Sequence, residues 1–255
     1  MNGHQLISIL GRKFPKRLAK KNGDFVGLMV GKIPSNINKV LLCLDYDEEV
    51  YEIAKSYKPD LILTHHPFIY GKRNEVLKNY PFKKTLYEQS LKDGLCVYSM
   101  HTNFDEAPGG MNDALTNALG LNDIYTPIDC SFMRIGYLDQ EMNINDFAQY
   151  AKECLKVSYG LLLPYGKQVV KKVGIVGGAG AYDYPAAIKE NCDIYISGDA
   201  SHHVRRELLS SHFSYLDLPH EIEKIFIPTM KNIINNIDEN IDILSVDHEK
   251  EPLVI

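Results

Sequence analysis

Two adjacent imidazoles, His65 and His66, close the segment Asp60-Leu-Ile-Leu-Thr-His-His-Pro67, an apolar run ending in two residues that bind metal readily. On an extended chain successive side chains point to opposite faces, so neighbours of this kind are expected to serve two different ions. Further candidate ligands stand at His101, Asp105, His220 and Glu223. Imidazole and carboxylate without thiolate suit zinc, iron, manganese, cobalt or nickel, and the donor set does not choose among them. Two ions side by side need bridging carboxylates, a role open to Asp105 and Glu223, and a water between the paired charges becomes acidic enough to act as a nucleophile. His101 is then a further ligand or a general acid or base.

Taken singly, each of these residues has an ordinary structural use. A histidine can cap a strand, Asp105 lies close to Pro108-Gly109-Gly110 and can serve a turn, and Glu223 can be a solvated helix charge. Their positions argue for a joint role. Ligands in open α/β sheets gather outside the carboxyl ends of the strands, and the elements predicted around these residues deliver them there.

Residues 40–44 read as a strand buried on both faces. Asp47 caps a helix with Val50, Ile53, Ala54 and Tyr57 on one stripe, ended by Pro59, and 61–63 form the next strand. A helix carrying Leu86, Tyr87 and Leu91 stops at Gly94, and 95–100 form a third strand that runs into His101 and Asp105. Two successive βαβ units imply a parallel sheet. Downstream, Asn112 is placed as the cap of a helix closed by Gly120, and Asn145 as the cap of another. A third βαβ unit spans 173–176, a helix from Pro185, and 194–196. A last unit takes 213–218, a helix from Pro219 and a strand at 241–246; on that helix His220 and Glu223 lie three apart and share a face, while Glu221 turns away. The fold class is α/β, with two α/β domains of mostly parallel or mixed sheets and the metal site at strand C-terminal ends. Residues 1–125 with 220–255 form the metal-binding domain, and 126–219 the second.

The 255 residues carry 28 Lys and Arg against 33 Asp and Glu, a net charge of -5 that offers no chain-wide attraction for nucleic acid or an anionic membrane. A local basic patch is still open at Arg12, Lys13, Lys16, Arg17, Lys20 and Lys21. No apolar stretch reaches the length of a membrane span and none resembles a signal peptide, so a cytoplasmic protein is expected. The 5 cysteines are widely spaced and read as free thiols. Gly177-Gly-Ala-Gly180 follows a strand but does not complete a dinucleotide-binding fingerprint, so no nucleotide cofactor is assigned to it. Asp199, His202 and His203 in Ser197-Gly-Asp-Ala-Ser-His-His203 are placed as a turn, as further ligands or as a substrate-facing rim.

These segments resemble the GTP cyclohydrolase 1 type 2-like proteins, also called NGG-one-interacting-factor-three-like. The resemblance rests on Gly27-Leu28 after Asp24, Thr-His-His-Pro67, His-Thr-Asn-Phe-Asp105 with Gly109-Gly110 and Asn112-Asp113, Arg134-Ile-Gly136, Gly177-Gly178 with Gly180, and Ser-Gly-Asp199 with His203. It implies a two-domain α/β subunit and a centre of two divalent ions held by His65, His66, Asp105, His220 and the downstream Glu. It further implies a toroidal homohexamer. Two departures stand out: family members have Gly-His followed four residues on by Glu, whereas Pro219 precedes His220 here and the acid is Glu223, and Val204 replaces the usual acid after His203. The function expected is that of a divalent-metal-dependent hydrolase acting on a nucleotide-like or other small phosphorylated or cyclic-amide substrate. The competing class is a non-enzymatic metal-binding or regulatory ring.

Overall fold

A computed structural model describes the whole chain, Met1–Ile255. In chain order the strands are β1 (Gly27–Val30), β2 (Lys39–Cys43), β3 (Leu61–Thr64), β4 (Val97–Ser99), β5 (Asn122–Tyr125), β6 (Arg134–Asn143), β7 (Leu161–Leu163), β8 (Val169–Ile175), β9 (Ile194–Ser197), β10 (Ser214–Asp217) and β11 (Asp242–Ser245). They form two sheets in two units, Met1–Pro108 with Phe226–His248, and Gly109–Ile225 with Glu249–Ile255. This is the α/β class expected. The division falls after Pro108, earlier than the sequence places it near 126, because β5 pairs with β6 and so belongs to the second sheet.

The first unit has the five-stranded order β1-β4-β3-β2-β11, parallel except for β1, which runs antiparallel against β4. Its central strands are apolar because both faces are covered: Leu41, Cys43, Ile62 and Val97 join one core with Val50, Ala54 and Leu86 from the crossover helices. Helix Glu48–Tyr57 starts where Asp47 accepts a hydrogen bond from Val50 N at 3.0 Å, and it ends at Lys58, whose backbone is left-handed. The second crossover helix is Pro81–Lys92. These are the two βαβ units read from the sequence, and their parallel strands all end on one side.

The second unit is mixed, with order β5-β6-β8-β9-β10-β7 and only β8, β9 and β10 mutually parallel. Three local expectations are corrected here. Gly110, not Asn112, precedes helix Met111–Ala118, and the Asn112 side chain instead accepts a hydrogen bond from Gly177 N at 2.8 Å. Asn143, not Asn145, caps helix Ile144–Leu155, because Asn143 has the extended backbone that a cap requires and its side chain takes the Asn145 N–H. Residues 213–218 and 241–246 do not make one βαβ unit: the outer edge of β10 is taken by β7, and β11 pairs with β2 in the other sheet. No helix is long and apolar enough to cross a membrane.

Candidate metal centre

In the first unit the strand alternation stops at Thr64, and His65 and His66 lie in a bend. Their rings therefore do not diverge. The centroids lie 5.0 Å apart, and both approach the ring of His101, at 5.1 and 5.5 Å. All three histidines offer ligand atoms within 4.8 Å of one another. The alternation argument for two different ions does not apply at this bend, since opposite-face alternation holds only while the backbone stays extended. A second ion must be argued from the number of ligands instead.

The bend is held from behind. His66 N donates to Leu44 O at 3.0 Å, buried Thr64 Oγ1 donates to His66 O at 2.8 Å, and Ser99 Oγ lies 2.8 Å from the same threonine oxygen. His101 follows β4 and precedes the short helix Thr102–Glu106, which carries Asp105. Asp105 Oδ1 lies 3.4 Å from His65 Nε2. His65 is fully buried, with Phe104 and Phe226 against its ring at 6.2 and 5.4 Å. A ring so enclosed cannot swing away, which keeps its position fixed before any ion arrives.

In the second unit β10 leads through Pro219 into a 3-10 turn, His220–Ile225. Winding at three residues per turn eclipses positions i and i+3, and His220 Nε2 lies 3.0 Å from Glu223 Oε2. Gly178 backs this pair with φ +59°, and a Cβ there would fall 2.9 Å from Glu223 Cδ and 3.1 Å from His220 Cε1. The glycine segment that failed as a nucleotide fingerprint thus has a different use, which is to make room for this carboxylate and imidazole.

Each of the four histidines has its Nδ1 engaged. The partners are Met100 O for His65 at 2.9 Å, Asp45 for His66 at 2.7 Å, Asp24 for His101 at 2.8 Å and Asp199 for His220 at 2.6 Å. A backbone carbonyl and ionised carboxylates only accept, so Nδ1 carries the hydrogen in every case and the neutral ring keeps its lone pair on Nε2. Metal-binding histidines are commonly oriented in this way. Burial works to raise Asp24, yet its hydrogen bonds with His101 and Thr102 outweigh that and hold it below the usual carboxylate range. Asp45 behaves alike: burial opposes ionisation, and the bond and charge of His66 prevail.

The donor set fits a divalent ion. Ligand bonds of about 2.0–2.2 Å place neighbouring donors about 3.0 Å apart at right angles and about 3.4 Å apart at a tetrahedral angle, and the His220–Glu223 and His65–Asp105 pairs stand at 3.0 and 3.4 Å. Sequence reasoning missed Asp24 and Asp45 and placed Asp199 as a turn residue, a ligand or a rim residue rather than as a support for His220. Asp45 was open to discovery, since it follows the carboxyl end of β2. His202 and His203, both exposed, open the helix His202–Ser210 and lie against each other at 6.2 Å, outside the groups of metal-type residues.

A family model described as Duf34/NIF3 (NGG1p interacting factor 3) matches residues 1–252. The chain belongs to the Duf34/NIF3 family. Among curated relatives, a GTP cyclohydrolase 1 type 2 homolog of Clostridium perfringens is 30% identical, with 99% of this chain and 98% of that protein covered. One of Lactococcus lactis is 32% identical, with 93% of each covered. A Bacillus cereus protein related to NIF3 has the same fold, with TM-score 0.88 at 22% identity over 100% of this chain and 99% of that one. In this Duf34/NIF3 chain the carboxylate three residues after His220 has a structural reason: in a 3-10 turn position i+3, rather than i+4, stands directly over the imidazole.

Proposed function

We propose that the protein is a divalent-metal-dependent hydrolase whose two ions are held by His65, His66, Asp105, His220 and Glu223, with His101 and Asp105 acting at the reacting atoms. The observation that supports this most is the anchoring of four imidazoles through Nδ1, three of them on carboxylates. Purely structural histidines need no such common orientation. The name of the relatives, GTP cyclohydrolase 1 type 2 homolog, directs the substrate class toward nucleotide-like or other small phosphorylated or cyclic-amide compounds.

When bound, the metal pair supplies Lewis-acid polarisation of a carbonyl or phosphoryl oxygen and acidifies water. The chain's residues do the rest. Asp105 and Glu223 would hold the pair as its carboxylate ligands, and the wall of Phe104 and Phe226 keeps His65 in place. His101 takes a proton at Nε2 while Asp24, held ionised, steadies the resulting imidazolium through Nδ1. We place the protein in the cytoplasm as a homohexameric ring, an assembly that a native mass measurement tests and a stable monomer refutes.

The experiment is reconstitution with zinc, iron, manganese, cobalt or nickel, followed by elemental analysis and a screen of GTP, cyclic nucleotides and phosphoesters. Two ions per chain and hydrolysis that Asp105→Ala abolishes are expected. Less than about one ion per chain refutes the dinuclear centre. Full metal content with no Asp105-dependent turnover replaces the hydrolase by the non-enzymatic metal-binding protein.

A further inference from the structure

A cavity of about 550 Å³ opens in the first unit, lined among others by Lys16, Arg17, Lys20, Arg73, Phe25 and Leu28. That volume lies in the range of small-molecule sites. Four cations converge on it against one acid, Asp24. The charge of Asp24 is already committed, because its oxygens accept hydrogen bonds from Phe25 N, Thr102 Oγ1 and His101 Nδ1 at 2.7, 2.7 and 2.8 Å. The nearby ion pairs do not draw on the cavity's cations: Lys21 pairs with Glu106 and Lys72 with Glu75.

The arrangement is built rather than incidental. Lys16 is an exposed residue like the other three cations, yet partial burial of its ammonium pulls it below the usual lysine range. Its Nζ stands 5.1 Å from the centroid of the Tyr98 ring and occupies the space that a Cβ on Gly27 would fill. Gly27 has φ +107°, where side chains are rarely tolerated, so the backbone there is reserved for glycine and the vacated volume holds a positive charge. Beside the cations the surface is apolar: Phe25 and Tyr70 are 41% and 59% exposed, with rings 6.0 Å apart, and Tyr70 continues to the His101 ring at 6.3 Å. An aromatic ledge therefore joins the basic cavity to His101.

We propose that this cavity is the phosphate subsite of the substrate, which is a small phosphorylated compound with a planar or apolar ring lying on the Phe25–Tyr70 ledge. Its reference to a substrate rests on the hydrolase reading; the anion site itself does not. Convergent cations in a concave wall raise the local concentration of anions and make binding sensitive to salt.

The test titrates inorganic pyrophosphate into the metal-free, folded full-length chain by calorimetry. Saturable binding with Kd below about 1 mM is expected, weakening severalfold as salt rises from about 50 to 200 mM. The double variant Lys20→Gln/Arg73→Gln, at two exposed positions, should weaken it about tenfold or more, and Lys16→Met severalfold. Lys55→Gln/Lys92→Gln, which removes the same charge elsewhere in the unit, should leave it unchanged. Absence of saturable binding, or equal weakening in the cavity and control variants, overturns the subsite. Displacement of pyrophosphate by a single-stranded oligonucleotide at lower phosphate concentration overturns the small-molecule assignment. Because no metal is present, these outcomes are separate from the fate of the hydrolase reading, which Asp105→Ala decides through metal content and turnover.

Discussion

Gly178→Ala tests the His220–Glu223 pair of the second unit. Two costs arise at this position. Its φ of +59° lies in the left-handed region, where an L side chain costs about 1–2 kcal/mol. The new methyl group would also stand 2.9 Å from Glu223 Cδ and nearer still to one carboxylate oxygen, against an ordinary contact of 3.4 Å or more. Glu223 is only 4% exposed and must recede by at least several tenths of an ångström into packed surroundings. Metal sites tolerate about 0.2 Å in ligand distance, so the carboxylate should lose its ligand position and affinity should fall about 10–100-fold. The backbone strain should lower Tm by about 2–8 °C. Gly94→Ala is the matched control, because φ there is +71° and nothing lies within 4 Å of the added carbon. Calorimetric melting of both variants, with competition against a chromophoric chelator, separates the two costs. If Gly178→Ala binds metal with wild-type affinity, or loses no more affinity than Gly94→Ala, the role assigned to Glu223 is wrong.

Asp24→Asn should lower kcat about 10–100-fold with metal content retained, because an amide can donate to His101 Nδ1 and so move the lone pair off Nε2; unchanged turnover would reject Asp24 as the group that positions His101. Thr64→Val should cost about 1–2 kcal/mol in urea unfolding, since buried Thr64 Oγ1 donates to His66 O, and a loss under about 0.3 kcal/mol would show that the bend does not depend on it. Burial pushes the thiols of Cys96 and Cys192 up to about 12 and raises Cys130. Burial disfavours the anion, so at pH 8 a thiol with pKa 12 is thiolate to about one part in ten thousand, and its labelling rate should rise about tenfold per pH unit. Only half-exposed Cys154 should react quickly with a disulfide reagent at pH 8, against all 5 cysteines in denaturant; a second fast thiol in the native protein would contradict the buried positions.

Much of the first sheet was legible because its signals are local. The apolar runs at 40–44 and 61–63, the cap at Asp47 and the stop at Gly94 each depend on residues within one or two turns, and the structure keeps all of them. The second unit was harder to read. Asn112 and Asn145 have the chemistry of caps, but the cap is set by which residue flanks the first helical turn with non-helical backbone, and Gly110 and Asn143 do so. The pairing of β11 with β2 was out of reach, because edge availability depends on β7 already lying against β10.

The sequence by itself determined which side chains are available for chemistry: imidazoles and carboxylates at the ends of apolar runs, the cluster of cations between Arg12 and Lys21, and the glycines at 27 and 178. It also determined the α/β class, since periodicity is a property of neighbouring residues. The tertiary structure decided what those residues do. Asp45 joins His66, Asp24 joins His101 and Asp199 joins His220 across 21, 77 and 21 positions of chain. Arg73 likewise meets Lys16 and Lys20 at one cavity only after the sheet has formed. Hydrogen bonds and charge fields act through space over a few ångströms, and no spacing in a linear sequence encodes which distant carboxylate will fix the tautomer of a given histidine.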